Sequence, residues 1–97
     1  MQIRELQQAV DDFVREKGFY DPDSPHEQSP RNLAVSLLLE AAEVLELYQW
    51  GDTADKAAVA GELADVTNYL LQMAQLLGID LEEAVLAKLE QNRGRRW

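Results

Sequence analysis

Cysteine is absent from this chain of 97 residues, and its uninterrupted apolar runs are short. Without cysteine, the chain cannot be a disulfide-stapled secreted domain or hold a cysteine-ligated zinc ion. Apolar runs such as Leu37–Leu39 are far too short to cross a bilayer. The first residues, Met1–Val10, are amphipathic and charged, unlike a signal peptide. We therefore expect a single domain over residues 1–97 that is cytoplasmic and has no membrane partner.

Basic residues are also scarce, because 9 Lys and Arg face 18 Asp and Glu, for a formal net charge of −9. A chain this acidic repels a phosphate backbone, which argues against a nucleic-acid polymer as partner. The charge is unevenly distributed, since residues 88–97 carry a net +3 and leave −12 for residues 1–87. This basic end either serves phosphate binding or stabilises the C-terminus of a helix.

Proline occurs only within residues 21–30, a polar, turn-rich segment that separates a first amphipathic stretch from the rest. Later breaks fall at glycines followed by N-cap candidates: Gly51 with Asp52 or Thr53, and Gly78 with Asp80. No alternation typical of strands is present. The pattern predicts an all-α fold of four helices, at about residues 2–17, 31–50, 54–77 and 80–94.

The second predicted helix is apolar in almost every direction around its axis, from Leu33 to Trp50. A helix that is hydrophobic all round is buried all round. A monomer with three other short helices offers too little surface to cover it. We therefore expect a homo-oligomer, a dimer or a tetramer; the alternative is an exposed patch on a monomer.

Two pairs of acidic residues lie on otherwise apolar faces of the second and third predicted helices. Glu40 and Glu43 are three residues apart, and so are Glu62 and Asp65, so each pair projects from one side of its helix. Four buried carboxylates need a counter-charge. Between Asn32 and Ala87 the only basic residue is Lys56, so ion pairs cannot neutralise them.

A divalent cation can neutralise these carboxylates, and an all-oxygen site suits Mg²⁺, with Mn²⁺ as the other candidate. A di-iron site needs Glu-x-x-His pairs, and the only histidine, His26, lies in the proline-rich segment. The alternative is that the four acids are solvated residues at the rim of the helices.

Several stretches resemble the MazG-like all-α nucleoside-triphosphate pyrophosphohydrolases, and most of all their dCTP pyrophosphatase branch. These stretches are Pro30-Arg31-Asn32-Leu33, Leu39-Glu40-Ala41-Ala42-Glu43, Tyr48-Gln49-Trp50 and Gly61-Glu62-Leu63-Ala64-Asp65. The resemblance implies a helical bundle completed by homo-oligomerisation. It also implies an enzyme in which Glu40, Glu43, Glu62 and Asp65 hold Mg²⁺ against a triphosphate. Water then attacks the α-phosphorus, and nucleoside monophosphate and pyrophosphate are released.

The resemblance also implies roles for individual residues. Either Glu43 or Glu40 acts as general base, Trp50 stacks on the base, and Tyr69 lies near the sugar. Further substrate contacts are expected from Asn32, Lys88, Asn92 and Arg93 by match to the family, and from Arg95 by its charge. Many relatives carry histidine two residues before the proline of Pro-Arg-Asn, whereas this chain has Gln28.

Two other functions remain open from the sequence. One is a non-catalytic helical module for oligomerisation or partner binding that keeps the bundle without turnover. The other keeps the chemistry but changes the substrate to a phosphoribosyl nucleotide. The expected substrates are deoxynucleoside triphosphates such as dCTP, consistent with clearing the nucleotide pool.

Overall fold

A computed structural model describes residues 2–95, and four helices account for most of them. They are α1 (Ile3–Glu16), α2 (Pro30–Glu46), α3 (Lys56–Leu76) and α4 (Leu81–Arg93). The described residues contain no strand, so the all-α, four-helix prediction is confirmed. None of their helices is long and apolar enough to cross a membrane. Arg96 and Trp97, at the basic end, lie outside the described residues.

The sequence signals at the glycines and at the start of α4 are realised, and the cap of α3 is corrected. Gly18 and Gly78 follow α1 and α3 with φ of +72° and +67°, a conformation in which a side chain is strained. Asp80 caps α4 as predicted, because its carboxylate accepts from the Glu83 N–H at 3.1 Å. The cap of α3 is Asp55, not Asp52 or Thr53, and its carboxylate accepts from the Ala58 N–H at 3.0 Å. Asp55 directly precedes the first helical residue, which places its carboxylate within reach of that N–H.

α2 is shorter than predicted, because it ends at Glu46 and not near residue 50. The next residues continue as tighter turns, in which the N–H groups of Tyr48 and Gln49 donate to carbonyls three residues earlier. Such turns commonly close an α-helix. Trp50 therefore lies in a turn after α2 and is not part of the helix.

α3 is the central helix, because it packs against α2 along one side and against α1 along another, while α4 contacts α1. Among residues 2–95, four apolar residues are buried: Val14, Leu33, Leu71 and Ala74. The buried Gln7 side chain of α1 donates to the Ile79 carbonyl at 3.0 Å and accepts from the Leu81 N–H at 3.1 Å. These hydrogen bonds attach α1 to the turn between α3 and α4.

Much apolar surface stays exposed on the single chain, above all on α2. Leu38 and Leu45 are 71% and 73% exposed. The chain exposes 7586 Å² in total, whereas a compact monomer of this mass exposes about 5600 Å². Packing within one chain therefore leaves much of the apolar surface of α2 uncovered.

Candidate metal centre and adjoining cavity

Four carboxylates from α2 and α3 meet at one point. Glu40 and Glu43 project from α2, and Glu62 and Asp65 from α3; one oxygen of each lies within 4.8 Å of the other three. The three-residue spacing in each pair places both side chains on one side of its helix. Because α2 and α3 pack against each other, the two pairs converge.

Apolar neighbours explain why this cluster is partly removed from water. Glu40 is half-buried on α2 between the half-buried Leu37 and Val44, and Glu62 is half-buried on α3 between Val59 and Val66. One oxygen of Glu40 and one of Glu62 (Oε2 in both) are buried without a hydrogen-bond partner. Glu43 and Asp65 are exposed on the open side of the cluster. Glu40 and Glu62 therefore lie among apolar neighbours as predicted, whereas the expectation of four buried carboxylates is wrong for Glu43 and Asp65.

Crowding of negative charge changes the protonation of the two half-buried acids. Burial is the largest influence on Glu40 and raises its pKa, and the charges of Glu43 and Asp65 raise it further. The pKa of Glu62 is also raised, first by a side-chain hydrogen bond with Glu43, then by burial and by the neighbouring charges. Both effects favour the protonated carboxyl. A cation placed among the oxygens would reverse that preference.

The protein supplies no cationic partner to the cluster among residues 2–95. The ion pairs there join Arg4 to Asp80, Arg15 to Asp11 and Arg93 to Glu90, all outside the four acids. Unpaired buried carboxylates are costly, and the donor set is entirely oxygen. Hard divalent cations such as Mg²⁺ and Mn²⁺ prefer this ligand type. The two unpartnered buried oxygens fit a metal centre.

A cavity of about 1100 Å³ opens beside the carboxylates. Glu40 and Asp65 are among the residues that line it. One wall comes from apolar residues of α1 and the turn after it: Leu6, Ala9, Val10, Phe13, Val14 and Phe19. Another comes from α3, and the proline-rich segment lines a further part. A cavity that joins acidic oxygens to an apolar wall suits a ligand with a charged end and a flat apolar part.

Two of the predicted substrate contacts border this cavity, Asn32 on α2 and Tyr69 on α3. Asn32 already uses its side-chain amide, because Nδ2 donates to the Glu27 carbonyl at 2.9 Å. Asn32 thus holds the proline-rich segment against the start of α2. Tyr69 lies one helical turn after Asp65, on the same side of α3.

The other predicted contacts do not line the cavity in the single chain. Trp50 is 92% exposed in the turn after α2. On α4, Lys88 Nζ donates to Gln91 at 3.3 Å and Arg93 pairs with Glu90. Asn92 is half-buried with an unpartnered oxygen. Arg95 follows α4 and is likewise absent from the described lining.

The structure adds cavity residues that the sequence argument did not single out. Asn68 and Gln72 line the cavity from α3, three and seven residues after Asp65. These spacings keep them on the face that carries Asp65, so helical periodicity could have found them. Gln28 also lines the cavity and bonds to Gln72 across 44 residues of sequence. No local pattern predicts that contact.

The fold and the site together define a class of protein: an all-helical domain in which two helices share a carboxylate cluster. Within that class, residues 35–96 match the model of the MazG-like family. The chain belongs to the MazG-like family. It is 38% identical over 76 residues to dCTP pyrophosphatase 1 of Rattus norvegicus, a match that covers 68% of this chain and 45% of the rat protein. The chain thus spans about half the length of the curated relatives it matches.

Solved structures of similar proteins agree with this fold. A pyrophosphatase from Archaeoglobus fulgidus superposes with a TM-score of 0.77 at 34% identity, over 93% of this chain and 87% of that one. A MazG-like pyrophosphohydrolase of cyanophage S-2L gives a TM-score of 0.74 at 32% identity, over 100% of this chain and 83% of that one. The phage protein was solved with dGDP and three catalytic Mn²⁺ ions per active site.

Proposed function

We propose that this protein is a metal-dependent nucleoside-triphosphate pyrophosphohydrolase that releases nucleoside monophosphate and pyrophosphate. One observation carries the proposal: four carboxylates converge within 4.8 Å, two with unpartnered buried oxygens, beside a cavity of about 1100 Å³. The names of the rat and archaeal relatives support the reaction class. The proposed substrates are deoxynucleoside triphosphates, with dCTP the first to test.

Glu40, Glu43, Glu62 and Asp65 are the proposed metal ligands, with Mg²⁺ as the expected ion. Mn²⁺ in the phage neighbour supports a divalent cation of this kind. When bound, such an ion neutralises phosphate charge and makes a coordinated water more acidic. Glu43 is exposed towards the open side of the cluster. We propose that Glu43 acts as the general base that accepts a proton from the water that attacks the α-phosphorus. Glu40 is the other candidate.

The cavity supports a direction for the substrate. Phosphates belong beside Glu40 and Asp65, and the nucleoside extends along α3 past Tyr69. The apolar wall from α1, with Phe13 and Phe19, then faces the base. Aromatic and aliphatic side chains pack well against the flat face of a base.

A homo-oligomer is part of the proposal, because the exposed apolar surface of α2 has no partner within the chain. The excess of exposed area over a compact monomer is about 2000 Å², more than the roughly 800 Å² that one partner contributes to a standard interface. Trp50, Lys88, Asn92, Arg93 and Arg95 remain predicted substrate contacts. They would need a second copy, or movement of their segments, to reach the cavity. Light scattering should show a dimer or a tetramer; a monomer at micromolar concentration would contradict this part.

The reaction is tested by incubating the protein with Mg²⁺ or Mn²⁺ and a panel of deoxynucleoside triphosphates. Pyrophosphate and nucleoside monophosphate should form in equal amounts, and chelation of the metal should stop the reaction. Glu40→Ala and Asp65→Ala should lower kcat/KM at least 100-fold. Glu46→Ala is the matched control, because Glu46 is exposed at the end of α2 outside the cluster.

Two results would contradict the proposal. Release of orthophosphate in place of pyrophosphate would exclude the reaction class. Nucleotide binding without any product would instead favour the non-catalytic module. Binding is read from the melting temperature, which a ligand of the native state must raise.

A further inference from the structure

The cavity wall formed by α3 contains a buried amide side chain, Gln72. Gln72 lies seven residues after Asp65 on α3, so the two share a face and are separated by about 10 Å along the helix axis. Gln72 is only 5% exposed, and it lines the same cavity as Asp65 and Tyr69. A separation of this size is comparable to the length of a nucleoside. The Gln72 amide is therefore positioned where a base would lie if phosphates lie beside the carboxylates.

A chain of hydrogen bonds fixes which way the Gln72 amide points. The backbone carbonyl of His26 accepts from Gln28 Nε2 at 3.1 Å. Gln28 Oε1 accepts from Gln72 Nε2 at 2.8 Å. A carbonyl oxygen can only accept, so His26 determines the orientation of Gln28, and Gln28 determines that of Gln72. The remaining oxygen, Gln72 Oε1, is an acceptor at the cavity wall.

Gln72 Oε1 has no hydrogen-bond donor among residues 2–95, and it is not one of the buried oxygens without a partner, so it is accessible from the cavity. An acceptor that a ligand covers without donating a hydrogen bond to it weakens the binding of that ligand. A ligand that supplies an N–H at this position is therefore preferred. A ligand that presents an oxygen there is disfavoured, because two acceptors then face each other.

We infer that Gln72, held in place by Gln28, determines base specificity by accepting a hydrogen bond from an exocyclic amino group. The inference rests on the proposed function for the orientation of the nucleotide. It assigns the substrate class as nucleotides of amino bases, cytosine and adenine. Their keto counterparts, uracil and hypoxanthine, present an oxygen at the equivalent ring position. Gln28 is a positioning residue, since it acts only through the Gln72 amide.

The test compares two substrate pairs that differ only in this group, dCTP with dUTP and dATP with dITP. In at least one pair, the wild-type protein should have a kcat/KM at least tenfold higher for the nucleotide with the amino group. A difference of this size is expected when one hydrogen bond is replaced by an unfavourable contact. Gln72→Met keeps the side-chain length but removes the acceptor, and should bring that ratio close to one. Gln28→Met frees the amide to turn its N–H towards the base, and should raise kcat/KM for the keto member.

Gln8→Met is the matched control, because Gln8 is exposed on α1, bonds to Asp12 and lies outside the cavity. It should keep the wild-type ratio. The melting temperatures of all variants, with each nucleotide and Mn²⁺, provide a second readout that does not depend on turnover. The nucleotide-dependent rise should discriminate amino from keto bases in the wild-type protein and not in Gln72→Met.

The possible failures are distinguishable. If the wild-type protein hydrolyses none of the four nucleotides, the proposed function fails, and the melting temperatures still decide the role of Gln72. If hydrolysis occurs without preference for amino bases, or if Gln72→Met retains that preference, the inference is overturned and the proposed function stands.

Discussion

Replacing Glu40 by glutamine should stabilise the metal-free protein while abolishing its activity. One oxygen of each of the four acids lies within 4.8 Å of the others, and two unit charges at that distance repel by about 1 kcal/mol even in bulk water. Glu40→Gln removes the repulsion between Glu40 and its three neighbours. It also replaces one carboxylate oxygen of Glu40 by an amide group whose N–H can donate to Glu43. In the native protein, Glu40 Oε2 is buried without a hydrogen-bond partner.

The expected size follows from these contacts. A net gain of about 1 kcal/mol corresponds to a rise in Tm of about 4–8 °C for a domain of this length. The rise should be smaller than the sum of the pairwise repulsions, because burial and the neighbouring charges raise the pKa of Glu40 and so favour its uncharged form.

The metal dependence should change in the opposite direction. For the wild-type protein, a metal ion at 100 times its dissociation constant adds about 2.7 kcal/mol to the free energy of unfolding. Glu40→Gln removes one charged ligand, so most of this gain should disappear, together with at least 99% of kcat/KM. Glu46→Gln removes the same charge from the exposed end of α2, and should leave both the metal-dependent rise and the activity at wild-type values.

The assay is thermal unfolding at neutral pH, first with a chelator and then along a Mn²⁺ titration. A Glu40→Gln protein that melts below the wild-type protein in chelator would refute the argument from charge repulsion. An unchanged Mn²⁺-dependent rise would show that the ion binds elsewhere. The two parts of the argument are thus tested separately.

Three further outcomes are expected. The stability contributed by protonated Glu62 is fully present below its unfolded-state pKa of 4.5 and is lost as the pH rises through its raised folded-state pKa; the Tm advantage of metal-free Glu62→Gln over the wild-type protein should therefore grow as the pH is raised above 4.5. Leu33→Ala truncates a side chain that is 2% exposed, and urea denaturation should show a loss of about 2–5 kcal/mol. Gln7→Leu leaves the Ile79 carbonyl and the Leu81 N–H without their partner; a loss of about 2–4 kcal/mol in the same assay is expected, and no loss would mean that water replaces the amide.

The four helices and the carboxylate cluster are predictable from the sequence because their signals are local. Gly18 and Gly78 mark helix ends through a backbone conformation that glycine favours, and Asp80 caps the helix that follows it. The three-residue spacing of Glu40 and Glu43 requires only that the segment is helical. The same argument applies to the acidic pair on α3. Once α2 and α3 pack together, the convergence of the pairs follows.

The remainder depends on the path of irregular segments and on contacts between distant parts of the chain. Asn32, a predicted substrate contact that lines the cavity, also donates from its amide to the Glu27 carbonyl, a bond that depends on the path of the proline-rich segment. The bond between Gln28 and Gln72 joins residues 44 apart and leaves no trace in periodicity. The end of α2 was misplaced because Leu47–Trp50 continue its apolar pattern while the backbone tightens into turns. Hydrophobic periodicity does not distinguish these two backbone states.

The arrangement around the carboxylates explains how a repulsive cluster is compatible with a folded chain. Leu37 and Val44 flank Glu40 on α2, and the contact between α2 and α3 that holds the acids together is the most extensive in the chain. Each apolar side chain that is fully buried contributes about 1.5–3 kcal/mol, so a few partly buried neighbours offset the repulsion among the acids. The four carboxylates are therefore brought together by packing within the chain. In the proposed function, metal binding would not have to offset the ordering of two helices, because the acids are assembled in advance, and its free energy would be available to hold the phosphates.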